Sequence, residues 1–279
     1  MKTHLLYIFL FLCSLGMSSL SLQAQDELSL RAGYGLGFGA GIDYGFELAP
    51  SWRIQTGVGF STLSTDWAFD HIYNSQAIPT PSGLPSDSRF ILNTDIANLN
   101  EEWDFSFLTI PLLLEFQTRG KQAFYAAAGV KLGFPLSANY HQTYERMTTS
   151  GFSDYTNQTY ENMPGLGFTT FEQGSSDGEP DLSLAYIAAV KLGMKWSLAK
   201  NVKLITGLYL DYGLNDSWQN NQELIEYSAS GQHKLNSASD SYSFLSYGVE
   251  VGISISFGKG GKRKAVQSSA ITPPVVVPQ

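Results

Sequence analysis

The sequence lacks most of what catalysis and cofactor binding draw on. It has one cysteine, Cys13, so the rest of the chain can form neither a disulfide nor a thiolate metal site. Charged residues make up only 15% of the chain, and Asp plus Glu (25) outnumber Lys plus Arg (17), for a formal net charge of −8. A nucleic-acid partner is excluded on this ground, because phosphate binding needs a basic face. Long apolar runs are missing as well. One lies in the first 25 residues, and no other reaches 18, so the remainder has no helix with which to cross a membrane.

What is there is alternation. From Phe105 to Ser137 the chain reads FSFLTIPLLLEFQTRGKQAFYAAAGVKLGFPLS. Leu108, Ile110, Leu112, Leu114 and Phe116, then Phe124, Ala126, Ala128, Val130, Leu132 and Phe134, form one apolar face; Thr109, Glu115, Gln117, Tyr125, Gly129, Lys131 and Gly133 form the other. Period-two alternation is what a strand needs when its faces meet different solvents. The apolar side is too continuous for the surface of a soluble sheet, whereas strands of about 10 residues, apolar outward and polar inward, build a transmembrane β-barrel.

Taken in order, the chain predicts a signal peptide over 1–24, with Lys2, the apolar stretch Leu5–Leu12 and a small, polar approach to Ala24. Residues 25–257 then predict an all-β fold, an eight-stranded antiparallel up-and-down barrel in the outer membrane. Its strands are Leu28–Gly35, Gly39–Leu48, Trp52–Thr62, the two of the central hairpin, Leu182–Leu198, Val202–Leu214 and Ser243–Phe257. Three long segments, 66–104, 139–181 and 215–242, read as extracellular loops, with short periplasmic turns at the other end. The loops hold eighteen acids against Arg89, Arg146 and Lys234, while Arg119, Lys121, Lys200, Lys203, Lys259, Lys262, Arg263 and Lys264 lie in the turns and tail. An acidic loop surface of this kind stays solvated and soluble.

Charges within the strands support the same architecture. Arg31, Asp43, Glu47, Arg53, Glu115, Lys131, Lys191, Lys195, Asp211 and Glu250 all fall opposite the apolar stripe. A charge on the lipid face at mid-bilayer costs roughly 2–4 kcal/mol, which is reason enough to keep them inside. Five acids and five bases in a barrel of eight strands are expected to pair across the lumen and fill it. Aromatics gather at strand ends, as two interfacial girdles require: Phe46, Trp52, Phe116, Phe124, Trp196 and Phe257 by the short turns, and Phe134, Tyr186, Tyr212 and Tyr247 toward the loops.

The glycine run Gly33 to Gly41 lacks the third glycine and the helix of a dinucleotide site. It reads instead as inward space for Tyr125 and Tyr209, with a hairpin turn near Leu36–Phe38. Pro111 and Pro135 predict bulges or bends. His71, His141 and His233 lie one in each long loop with no His-x-x-Glu-His pattern, so neither catalysis, a cofactor nor a metal is expected. The tail 258–279, basic and then proline-rich, is expected to be a disordered periplasmic segment with an extended, polyproline-like end; the alternative is a contact for anionic lipid headgroups or an envelope protein.

Leu108-Thr-Ile-Pro-Leu-Leu-Leu114, the basic turn, Phe124-Tyr-Ala-Ala-Ala-Gly-Val-Lys-Leu-Gly133 and the closing Tyr247–Phe257 together resemble the PorT-like outer-membrane β-barrel proteins of Bacteroidetes. The resemblance covers about residues 28–257. It implies an eight-stranded outer-membrane barrel, with outer-membrane lipid and the barrel-insertion machinery as partners, Phe257 resembling the terminal aromatic that this machinery recognises. It implies no single function and lends no functional residue. The expected role is a non-enzymatic scaffold displaying acidic loops. The alternatives are a component of a protein-export (type IX-like) envelope assembly and a small solute channel.

Overall fold

The computed structural model describes residues 26–81, 84, 89–220, 222–228 and 233–257. The signal-peptide and tail expectations, 1–24 and 258–279, lie outside them. Twelve strands form in order: β1 (Asp26–Gly35), β2 (Gly37–Ala49), β3 (Trp52–Ile78), β4 (Phe90–Gln117), β5 (Gln122–Ser153), β6 (Gln158–Tyr160), β7 (Thr170–Gly178), β8 (Ala185–Ser197), β9 (Val202–Gln219), β10 (Ile225–Glu226), β11 (Lys234–Leu235) and β12 (Ser241–Phe257). Eight of them close a ring, β1-β2-β3-β4-β5-β8-β9-β12, in which every pairing is antiparallel. The seam joins the first strand to the last, with Asp26 opposite Phe257. No helix among the described residues is long and apolar enough to cross a membrane; strands do the crossing.

The wall is inside out relative to a soluble barrel. Leu30, Ile42, Leu112, Leu114, Val130, Leu192, Leu208, Val249, Val251 and Ile253 are exposed on its outer surface, while Arg31, Asp43, Glu115 and Lys195 are buried within it. This is the alternation of a lipid-facing barrel. At the short-turn end Trp52 meets Phe116 edge-on, ring centroids 5.2 Å apart; Tyr186, Tyr212 and Tyr247 stand exposed on the outer surface nearer the opposite end.

The three long segments are not loops throughout. β3, β4 and β5 run 27, 28 and 32 residues, far beyond the ~10 that span a bilayer. Together with β7, their far halves form a sheet that rises past the membrane. Alternation fails in this extension because the faces swap along one transverse line. The ladders skip Asp70 with Asn98, Asn98 with Glu145, and Glu145 with Gln173, and Asn98 and Gln173 carry φ of 53° and 52°. Below that line Leu99, Glu101 and Trp103 are buried; above it Ile96, Thr94 and Leu92 are. An apolar cluster of Ile78, Phe90, Leu92, Ile96, Leu99, Met147 and Phe168 packs there with Ile225 and Leu235 from the connection between β9 and β12.

The bends expected at the prolines and in the first hairpin are met in part. The bulge expected at Pro135 is present, as the pairing shifts between Ser106–Ser137 and Phe107–Pro135. Pro111 keeps its register opposite Lys131 without a bulge, but the ladder to β3 lapses beside it, passing from Thr56–Leu112 to Gly59–Thr109. The first hairpin turns at Leu36, between Gly35 and Gly37. A Cβ at Gly35 would collide with the backbone oxygen of Tyr247, and one at Gly37 with that of Thr62, so side-chain-free residues flank the turn.

Candidate functional site

The barrel interior is filled in layers, and each of the eight ring strands contributes a charged residue. Nearest the short turns, Lys195 of β8 is 1% exposed and donates to Glu27 Oε1 at 2.7 Å and Glu115 Oε1 at 2.6 Å. Arg53 Nη1 donates to Glu27 Oε2 at 2.5 Å and to Gln117 Oε1 at 2.7 Å, and lies 3.8 Å from Glu115. Lys203 Nζ reaches Glu27 Oε2 at 3.4 Å.

One layer further in, Arg31 Nη1 donates to Glu250 Oε1 at 2.7 Å, with its Nε 3.2 Å from Asp43 and its Nη2 3.6 Å from Glu115. Lys191 lies 3.1 Å from Glu250 and 4.0 Å from Asp43. Tyr125 donates to Glu250 at 2.6 Å, and both Arg31 and Lys195 sit 5.5 Å from its ring centroid, within cation–π range. Lys131 then pairs with Asp211 at 2.6 Å. Beyond the charges comes an aromatic layer of Phe107, Phe244, Phe105, Tyr242, Trp103 and Trp218. Phe105 and Tyr242 stack 4.0 Å apart, and Trp103 lies 4.9 Å from Trp218. The cavities left among the charged residues measure ≈ 90 Å³ and ≈ 10 Å³.

Of the ten charges singled out from the sequence, nine take part in ion pairs of this interior, and Glu47 lies half-exposed at the end of β2, opposite Arg53 in the ladder. Two members were missed. Glu27 continues the inward parity of Ser29 and Arg31, and starting the first strand at Leu28 excluded it. Lys203 was taken for a solvated turn residue, yet it leans inward onto Glu27. The glycine argument also changes partners. A Cβ at Gly33 would meet the Tyr209 ring at 2.9 Å, but the space for Tyr125 comes from Gly193 and Gly207, where a Cβ at Gly193 would meet its ring at 2.8 Å.

A further buried carboxylate lies in the extension. Glu101 of β4 is fully buried and accepts from Trp103 Nε1, from Gln142 Nε2 at 2.6 Å, from Ser237 Oγ at 2.5 Å and from the Ala238 amide at 2.9 Å. It ties the connection between β9 and β12 to the wall. Burial, with Glu101 nearby, raises the Tyr140 phenol above its ordinary value.

The histidines do not converge. His71 faces Asp95 at 3.0 Å and His141 faces Asp177 at 2.6 Å, both exposed on the extension, while His233 lies 2.9 Å from the Gly167 carbonyl. Gly174-Ser-Ser-Asp-Gly178 has the spacing of a nucleophile elbow, but it lies along β7 instead of at a strand-to-helix turn, and Ser176 Oγ donates to the Leu235 carbonyl at 2.8 Å. Ser197-Leu-Ala-Lys200 likewise spans a short turn, with no helix to carry it. Among the described residues no group of His, Cys, Asp and Glu is placed to hold a metal ion.

Among solved structures, a major outer membrane protein from Thermus thermophilus is similar at 13% identity over 84% of this chain and 99% of its own, with a TM-score of 0.38. Neisserial surface protein A matches at 12% identity over 84% and 96%, with a TM-score of 0.27. The attachment invasion locus protein Ail of Yersinia pestis, in complex with the heparin analogue sucrose octasulfate, matches at 12% over 84% and 95%, with a TM-score of 0.23. No curated protein matches the sequence. The family model described as the outer membrane protein beta-barrel domain matches residues 11–217, and the chain belongs to that family of outer-membrane β-barrels.

Proposed function

We propose that this outer-membrane barrel is a non-enzymatic scaffold with a plugged lumen, whose work is done by the acidic sheet it raises on the extracellular side. Within the family we place it among the PorT-like proteins, on the Ile110-Pro-Leu112 motif and the closing strand. The observation that carries the proposal is the continuous filling of the interior, from the Glu27–Lys195–Glu115 cluster to the stack of Phe105 on Tyr242. An eight-stranded barrel is just wide enough for side chains to fill it, and nothing between those layers has the dimensions of a pore. The short turns and the tail then face the periplasm, and the extension carries most of the acids into the medium. Planar-bilayer recording of the purified protein, with gel heat-modifiability as the check on folding, tests this. The expected result is a folded barrel with no discrete conductance steps; regular, salt-dependent steps would make it a small solute channel.

A further inference from the structure

Beyond the closed lumen, the long-connection end holds a groove of ≈ 590 Å³, a size suited to a small ligand and a position, at a barrel mouth, where ligand sites recur. Its walls come from the middle of β5, the ends of β7 and β9 and the connections that follow them. Two aromatic rings, Tyr140 and Trp218, stand with three carboxylates, Glu179, Asp181 and Asp216. All three acids are exposed, and no salt bridge neutralises them among the described residues. The one base in the lining is Lys234, which leaves a local charge of −2.

A second observation sets this groove apart from a patch of acids. Ser217 is fully buried, lines the groove, and its Oγ has no hydrogen-bond partner. Buried hydroxyls are nearly always satisfied, so an orphan calls for an explanation. The lining is also preorganised. The Ser183 amide and Oγ both donate to the Ser217 carbonyl, at 2.7 and 2.9 Å, which fixes the segment bearing Glu179 and Asp181 against β9. Trp218 is backed by Trp103 at 4.9 Å. Asn220 Nδ2 donates to the carbonyls of Ser237 and Ser239 at 2.8 and 3.1 Å, holding the far rim.

We infer that this groove binds a small organic cation, a ligand bearing ammonium or guanidinium groups on a short apolar frame. The chemistry selects that class. Aromatic faces attract cations, the carboxylates complement their charge, and Ser217 Oγ offers a buried polar atom to one N–H. The acidic extension around it raises the local concentration of cations and not of anions. A neutral sugar would use the aromatic rings but leave a net −2 unanswered.

Spermidine serves as the probe, titrated into the full chain folded in detergent and followed by tryptophan fluorescence and calorimetry. Saturable one-to-one binding is expected. D181N/D216N should weaken it about tenfold, since two partly exposed ion pairs are lost together. S217A should weaken it too, without changing the heat-modifiable gel shift that reports folding. E102Q/D177N removes the same charge from the outer face of the extension and should leave affinity within about twofold. The inference is overturned if spermidine shows no saturation at millimolar concentration, if the outer-face variant loses as much as the groove variant, or if sucrose competes with spermidine for the groove.

Discussion

Lys195→Met puts the charged interior to the test. Lys195 is 1% exposed and sits between Glu27 and Glu115 at 2.7 and 2.6 Å. Methionine keeps most of the length and none of the charge. Glu27 retains Arg53 at 2.5 Å and Lys203 at 3.4 Å, so it stays compensated. Glu115 does not: its remaining cations are Arg31 at 3.6 Å and Arg53 at 3.8 Å. Removing one member of a buried pair costs about 3–5 kcal/mol when the other charge is stranded, and the two longer contacts place this case near the lower figure, about 3 kcal/mol. K195M/E115Q removes both ends of the stranded pair, and its cost should fall to within about 1 kcal/mol of wild type, because an uncharged replacement of a buried pair is often close to neutral. Equilibrium unfolding in lipid vesicles, read by tryptophan fluorescence and by gel shift, gives both values, and the double-mutant cycle isolates the coupling. If K195M costs less than about 1 kcal/mol, or if the two substitutions simply add, the lumen is wet, the carboxylates are solvated, and the reasoning from a dry ion-pair network fails.

Two further outcomes follow from packing and polarity. Glu101→Gln places an amide where four donors converge; at least one is left unmet, at about 1–3 kcal/mol, and amide exchange over 234–238 should accelerate while that of 110–115 does not. Phe244→Ala removes a ring 5.3 Å from Phe107 in the aromatic layer and should cost about 3–5 kcal/mol in the same unfolding assay; a loss under about 1 kcal/mol would show that the layer is loosely packed.

The ring was legible in the sequence because lipid imposes one rule on every outward position. Leu112, Leu114, Val130 and Val251 had to be apolar, and their neighbours Glu115, Lys131 and Glu250 had to turn in. The extension was not legible for a physical reason as well. Beyond the membrane both faces of a sheet tolerate polar residues, and the buried parity reverses at Asn98 and Gln173, so Leu92-x-Thr94-x-Ile96 and Leu99-x-Glu101-x-Trp103 do not join into one alternating run. Pattern reasoning saw two broken pieces and read a loop. Glu101 was hidden for the same reason: among eighteen acids it looked like one more solvated charge, and only the fold brings Gln142, Ser237 and Ala238 to it. The groove beside Trp218 is equally invisible in sequence, since its walls come from residues 140, 178–181, 183, 216–220, 222, 234 and 237.

The turn at Leu36 has a consequence for how the molecule meets its surroundings. β1 and β2 stop after 10 and 13 residues, while β3 beside them continues to Ile78 with no strand to flank it from Ser64 onward on that side among the described residues. The barrel's rim is therefore stepped, low at the first hairpin and tall over β3, β4 and β5. A body diffusing in the plane of the membrane meets a parapet from one side and a threshold from the other. The protein has a front and a back, and neighbours in a crowded bilayer can sort themselves by which of the two they touch.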